Sequence, residues 1–169
     1  MPAPPDFQTL YDAELAYVVR TLQRLGVAAR DLEDAAQDVF VAVYRRRADR
    51  DPARPVRPWL FGFCFRVVGN YLQKAHRSRE VGVDDVEALA GVAAPAGELE
   101  RREERALVLA ALSTLDLDHR AVAILFDLEG LAAPEVAEAL GIPLNTVYSR
   151  ARTARQKLLA SLRGAGGAR

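Results

Sequence analysis

Residues 131–158, LAAPEVAEALGIPLNTVYSRARTARQKL, leave this chain few choices. Pro134 and Glu135 suit the first turn of a helix. There a missing N–H costs nothing, and a carboxylate meets the positive end of the helix dipole. Val136, Ala137 and Leu140 give that short helix a buried side. Gly141 sits where a helix stops and the backbone calls for a positive φ. Pro143 bars continuation, and Asn145 or Thr146 is placed to cap a second helix. In that helix Val147, Ala151, Ala154 and Leu158 recur at steps of four, three and four, so they share one face. Tyr148, Ser149, Arg152 and Arg155 lie largely opposite, with Arg150 on the flank. Small packing residues behind a face of Arg, Ser and Tyr are what a major-groove recognition helix requires. An ordinary helical hairpin with a solvated basic face has the same spacing.

Charge distribution weighs between the two. The chain has 23 Lys and Arg against 23 Asp and Glu, so net charge alone names no partner. From Ala139 onward, however, no residue is acidic, whereas Arg150, Arg152, Arg155, Lys157, Arg163 and Arg169 are all basic. The acids lie upstream, at Asp116, Asp118, Asp127, Glu129, Glu135 and Glu138. A locally basic end binds phosphates and releases counterions while the whole molecule stays neutral.

At 169 residues, half of them hydrophobic, the chain suffices for one domain or two small ones. No apolar run reaches membrane-spanning length, and the first residues lack the layout of a signal peptide, so the expected location is cytoplasmic. Cys64 is the sole cysteine and lies in an apolar run, which excludes an intrachain disulfide and a thiolate metal cluster. His76 and His119 are far apart in sequence. No cofactor, no metal site and no enzymatic activity is expected.

Upstream, Leu10, Tyr11, Leu15, Val18, Val19, Leu22 and Leu25 trace a helical stripe ending at Gly26. Residues 31–47 form a second helix, with Asp31 placed to cap it and Leu32, Ala35, Ala36, Val39 and Val43 as its apolar members. Asp34, Gln37, Asp38 and Val41 project from another side. Three prolines in residues 48–58 forbid helix there and leave a basic loop. Trp59 opens a third helix, apolar at first and basic later. Its latter half mixes Arg66, Asn70, Tyr71, Lys74 and Arg77, a combination suited to single-stranded nucleic acid, where rings stack on bases and cations hold phosphates. Most of Trp59, Phe61, Phe63 and Phe65 belong to a core. Residues 80–97 turn small and acidic and read as a flexible linker. Two amphipathic helices, 98–115 and about 117–129, then lead to Gly130 and the helical hairpin. The expected fold is all-α: a three-helix domain (6–79), the linker (80–97) and a four-helix domain (98–163).

Taken together, these motifs resemble the group IV, or extracytoplasmic-function (ECF), sigma factors of bacterial RNA polymerase. Residues 34–40, DAAQDVF, are similar to the family's region 2.2, typically DLVQEVF. Residues 57–63, RPWLFGF, and on through Asn70, Tyr71 and Leu72 resemble regions 2.3 and 2.4. Leu128, Glu129, Gly130 and Leu131 open a stretch that resembles region 4.2 as far as Arg155. The likeness runs from about Leu10 to Leu162. It implies that Asp34, Gln37, Asp38 and Val41 dock on the clamp helices of the polymerase β′ subunit. It implies, too, that loop 48–58 edges a pocket for an unstacked base of the −10 element, with Arg66, Asn70, Tyr71, Lys74 and Arg77 along the strand. Thr146, Tyr148, Ser149, Arg150, Arg152 and Arg155 would read the −35 element, with the second domain against the β flap. An anti-sigma factor is a further implied partner. Tyr148 and Thr153 stand where relatives usually carry Lys or Arg, which predicts an unusual −35 preference. Ala132 replaces the family's customary Ser cap, a loss of about 1 kcal/mol. A helix-turn-helix regulator that binds duplex DNA without joining polymerase is the competing expectation.

Overall fold

The first helix stops where its stripe runs out. α1 (Phe7–Leu25) ends at Gly26, whose φ of 112° lets its N–H reach back to the Leu22 and Gln23 carbonyls. The computed structural model describes residues 6–80 and 97–166, and the expected linker lies almost wholly outside them. α2 (Leu32–Arg45) is shorter than its sequence pattern. Asp31 precedes it without capping it, because its carboxylate accepts the Tyr71 hydroxyl at 2.8 Å instead. A single 3-10 turn (Arg47–Asp49) interrupts the basic loop. α3 (Val56–Glu80) starts three residues before Trp59, since Pro58 falls in a first turn that needs no N–H from it. These three helices pack pairwise around Val18, Leu22, Val39, Val43, Leu60, Phe61, Cys64 and Val68, all fully buried. A buried side chain of this size contributes about 1.5–3 kcal/mol. Burial also pushes the Cys64 thiol up to about 12, so it is an unreactive core residue.

The second group begins with α4 (Glu98–Ser113). α5 (Leu117–Val122) is capped by Asp116, whose carboxylate accepts the His119 N–H at 3.0 Å. α5 widens into a π-helical segment (Ala123–Leu128), with the Glu129 N–H on the Ile124 carbonyl at 2.9 Å, before Gly130 turns the chain at φ 70°. α6 (Ala133–Leu140) has half a capping box: Glu135 accepts the Ala132 N–H at 2.9 Å, but Ala132 has no side-chain acceptor to return the bond. Gly141 adopts the expected positive φ, 64°. α7 (Leu144–Gly166) starts earlier than a cap at Asn145 or Thr146 requires. The Pro143 carbonyl takes the Thr146 N–H at 3.0 Å, so the turn closes through the backbone. Val136, Val147, Ala151 and Ala154 are buried as the spacing requires, and Leu158 is half-buried.

The described residues thus hold seven α-helices and no strand. None of these helices is long and apolar enough to cross a membrane. The two groups also meet: α1 packs on α4 and α5, and α3 packs on α6, so one buried core runs through both.

Candidate nucleic-acid interface

On α2 the buried residues Ala35, Ala36, Val39, Phe40 and Val43 turn Asp34, Gln37, Asp38 and Val41 outward at steps of three, one and three. All four are exposed, Val41 by 49 %. No hydrogen bond or ion pair engages the Asp34, Gln37 or Asp38 side chain among the described residues. An unpartnered carboxylate pair beside an exposed valine costs nothing in water and leaves both carboxylates open to a partner.

α3 runs alongside. Arg66, Asn70, Lys74 and Arg77 form an exposed stripe along it at steps of four, four and three. Asp34, Asp38, Val41 and Arg45 of α2 face Asn70, Tyr71 and Lys74 across one groove of about 440 Å³. Two sets of residues that the sequence assigns to different partners therefore share one surface. Tyr71 is the exception to free presentation. Its hydroxyl donates to Asp31 and accepts the Ala28 N–H at 3.3 Å, tying α3 to the turn before α2. Burial and the Asp31 carboxylate raise its pKa against the help of the Ala28 amide.

Arg66 leans the other way. Its Nε donates to the Gly62 carbonyl at 3.1 Å, and its guanidinium sits 5.0 Å from the Phe63 ring centre. It lines a second cavity of about 420 Å³ with Arg46, Arg50 and Arg54 from the loop and with Trp59 and Phe63. The far wall of that cavity is α6, through Glu135, Glu138 and Ala139.

On α7, Tyr148, Ser149 and Arg152 are exposed and Thr146 is half-buried. The Ser149 hydroxyl donates to the Thr146 carbonyl at 3.2 Å. Tyr148 meets Phe126 edge-on at 6.3 Å. Three other bases of α7 have acids beside them. Arg150 pairs with Asp118 at 3.2 Å, and Lys157 lies 3.8 Å from Asp116. Arg155 grips Asp127 in a bidentate pair, Nη2 donating to Oδ1 at 2.5 Å and Nε to Oδ2 at 3.3 Å, and lies over the Phe126 ring. The Asp127 hydrogen bond and charge raise the Arg155 pKa further.

Residues 10–79 match the family model for sigma-70 region 2, and residues 105–158 match that for sigma-70 region 4. The chain belongs to the sigma-70 family. It is an ECF-type RNA polymerase sigma factor, a transcription initiation factor. Among its relatives, RNA polymerase sigma factor NccH of Alcaligenes xylosoxydans xylosoxydans is 33 % identical over 86 % of this chain and 80 % of its own. ECF RNA polymerase sigma factor SigL of Mycobacterium tuberculosis is 29 % identical over 94 % of this chain and 90 % of its own. Among solved structures, the sigma factor RpoE of Bartonella quintana, in complex with the anti-sigma factor NepR, matches at TM-score 0.70 and 25 % identity, covering 95 % of this chain and 98 % of that one. CnrH in complex with the cytosolic domain of CnrY matches at TM-score 0.64 and 28 % identity, covering 94 % and 88 %.

Sequence reasoning named the basic loop of this sigma factor but missed Arg46, Arg50 and Arg54 as a cavity lining shared with Arg66. The density of arginine in residues 45–54 was the available signal. It also missed Arg120, which is only 9 % exposed, and the Tyr17–Glu129 pair. A charged residue beside Ala121, Val122 and Ile124, where a helix turns apolar, is the mark Arg120 leaves in the sequence.

Proposed function

We propose that this sigma factor docks on core RNA polymerase through the α2 face, with Asp34, Gln37, Asp38 and Val41 against the β′ clamp helices. Residues 6–79 serve as the docking and −10-reading unit, and residues 98–163 as the unit that reads the −35 element and meets the β flap. Arg66, Asn70, Lys74 and Arg77 hold the phosphates of the opened −10 strand, and Tyr71 keeps α3 in place beside them. Tyr148, Ser149 and Arg152, flanked by Thr146, Arg150 and Arg155, lie in the major groove of the −35 element. The factor works in the cytoplasm without cofactor or chemistry of its own, and an anti-sigma factor is its natural antagonist. Two readers joined in one chain gain by effective concentration, so neither has to bind tightly alone.

One observation carries this reading. The α2 carboxylates are exposed and unpartnered on the same groove as the Asn70 and Lys74 side chains. A duplex-binding regulator has no use for such a face. The test is co-elution with bacterial core polymerase, wild type against Asp34→Ala/Gln37→Ala/Asp38→Ala. The triple variant is expected to bind at least about 30-fold more weakly, as truncation of interface hot spots costs about 2 kcal/mol or more. Its melting temperature should hardly move, because exposed substitutions are nearly neutral to folding. Failure of the wild type to bind leaves the regulator.

A further inference from the structure

α7 begins without charge. From Ala139 to Ser149 no residue is acidic or basic, and the first base of the helix is Arg150. Its packing side is complete without the exposed residues of its head: Val147, Ala151 and Ala154 are buried where α7 meets α5 and α6. Leu144 and Tyr148 take no part in that side. They stand one turn apart and so share an edge of the helix, where they are 42 % and 52 % exposed. Asn145, Ser149 and Arg152 face outward beside them. The head of α7 thus presents apolar surface in the middle of its polar face.

The tyrosine ring is braced from one side. Phe126, in the π-helical segment, meets it edge-on at 6.3 Å between ring centres, with the planes at 89°. Phe126 is itself half-buried and carries the Arg155 guanidinium 5.3 Å from its ring centre. Asp127 fixes that guanidinium in turn. Tyr148 therefore has a backed side and an open side. A tyrosine has two side-chain torsions, so a braced ring loses little freedom when something packs on it.

Such an edge is selective in a major groove. Guanine is read there by a bidentate Arg or Lys, whereas thymine alone presents a methyl group, which takes apolar contact. The head of α7 has no cation to offer a guanine. Arg150 is half-buried and paired with Asp118, and Arg155 is engaged by Asp127. The first base without an acid beside it among the described residues is Arg152, one turn beyond Tyr148. We infer that the Leu144–Tyr148 edge selects thymine in the −35 element through apolar contact with its C5-methyl group, with Phe126 bracing the ring. Thymine selection rests on the −35 reading proposed above and supplies the base that this reading prefers. Arg152 lies four residues on, about 6 Å along the axis, and so reads within about two base pairs of that thymine.

The experiment uses the full chain, alone and with core polymerase, to select duplexes from a random library. In the selected −35 duplex each thymine is replaced in turn by deoxyuridine, which removes only the methyl group. Anisotropy at low salt is expected to show one thymine, or two adjacent ones, whose replacement weakens wild-type binding about fourfold, as the loss of one buried methyl requires. Tyr148→Phe should keep that sensitivity. Tyr148→Ala should bind the thymine and deoxyuridine duplexes equally, and Leu144→Ala should narrow the difference between them. Arg152→Ala should weaken both duplexes and keep their ratio, which separates general loss of affinity from loss of methyl reading. Tyr148→Lys, selected afresh, should exchange that thymine for guanine. A selected duplex in which no thymine responds to deoxyuridine overturns thymine selection and leaves the −35 reading standing. A response that Tyr148→Ala leaves unchanged overturns it too. If no duplex is enriched over core polymerase alone, the −35 reading itself is struck, and thymine selection falls with it.

Discussion

The polar faces of α2 and α7 were both legible as helical stripes, yet they differ in what their charges are free to do. On α2 the Asp34 and Asp38 carboxylates have no partner among the described residues. On α7 three of the bases are met by acids from the α5 segment: Arg150 by Asp118, Arg155 by Asp127 and Lys157 by Asp116. Exposed pairs of this kind add little to stability, about 0–1 kcal/mol each. Their larger effect is on availability, because a base engaged by an acid has to exchange it before it meets a phosphate. Arg152 has no such acid among the described residues and is exposed. Helical spacing tells which side a charge is on. It does not tell whether the charge is already spoken for.

The largest expected effect tests that difference within α7. Arg152→Ala should weaken binding to a −35 duplex, selected from a random library, by about 1–3 kcal/mol, or roughly 5- to 150-fold. Arg155→Ala should cost less than about threefold, since the wild-type residue is already engaged by Asp127. Fluorescence anisotropy measures both. Equal losses would erase the distinction between free and engaged arginines.

A smaller effect has the opposite sign. Asp127→Ala releases Arg155 from its bidentate grip while Arg155 keeps its place over Phe126. One more phosphate contact becomes available, so the slope of log affinity against log salt should steepen by about one. At low salt the variant should bind duplex a few-fold more tightly than wild type. An unchanged salt slope would show that Asp127 never withheld the charge.

The same limit explains what the sequence did and did not reveal. The stripe Val147, Ala151, Ala154 and the turn at Gly141 follow from local periodicity and φ preference, and the structure has both. The α2 face followed from the same arithmetic. Asp31 looked like a helix cap because local chemistry allows it, but Tyr71, forty residues away, takes its carboxylate. Pro58 looked like a barrier to helix, yet a proline in a first turn is harmless. Arg120 and Glu129 could not be read at all, because their partners Leu25 and Tyr17 lie in the other group of helices. Local rules name the elements; pairing across 95 residues is decided by packing.

The smallest effect isolates charge from geometry at the third pair. Burial works against the Asp116 carboxylate, but the His119 amide and ring and the Lys157 charge outweigh it and hold its pKa below the usual value. A carboxyl whose folded pKa is depressed contributes stability above its unfolded pKa. That stability is lost as pH falls through the folded value. Asn is as good an N-cap as Asp, so Asp116→Asn keeps the hydrogen bond to the His119 N–H and removes only the charge. The variant should therefore lose a few tenths of a kcal/mol at neutral pH, as a dipole contact and one exposed ion pair allow. The gap to wild type should close as pH falls below about 4, the ordinary carboxylate range. Urea unfolding at several pH values measures it. A gap that persists into acid would mean that Asp116 acts through the shape of its cap, and that the pairing of α7 with its upstream acids does not extend to Lys157.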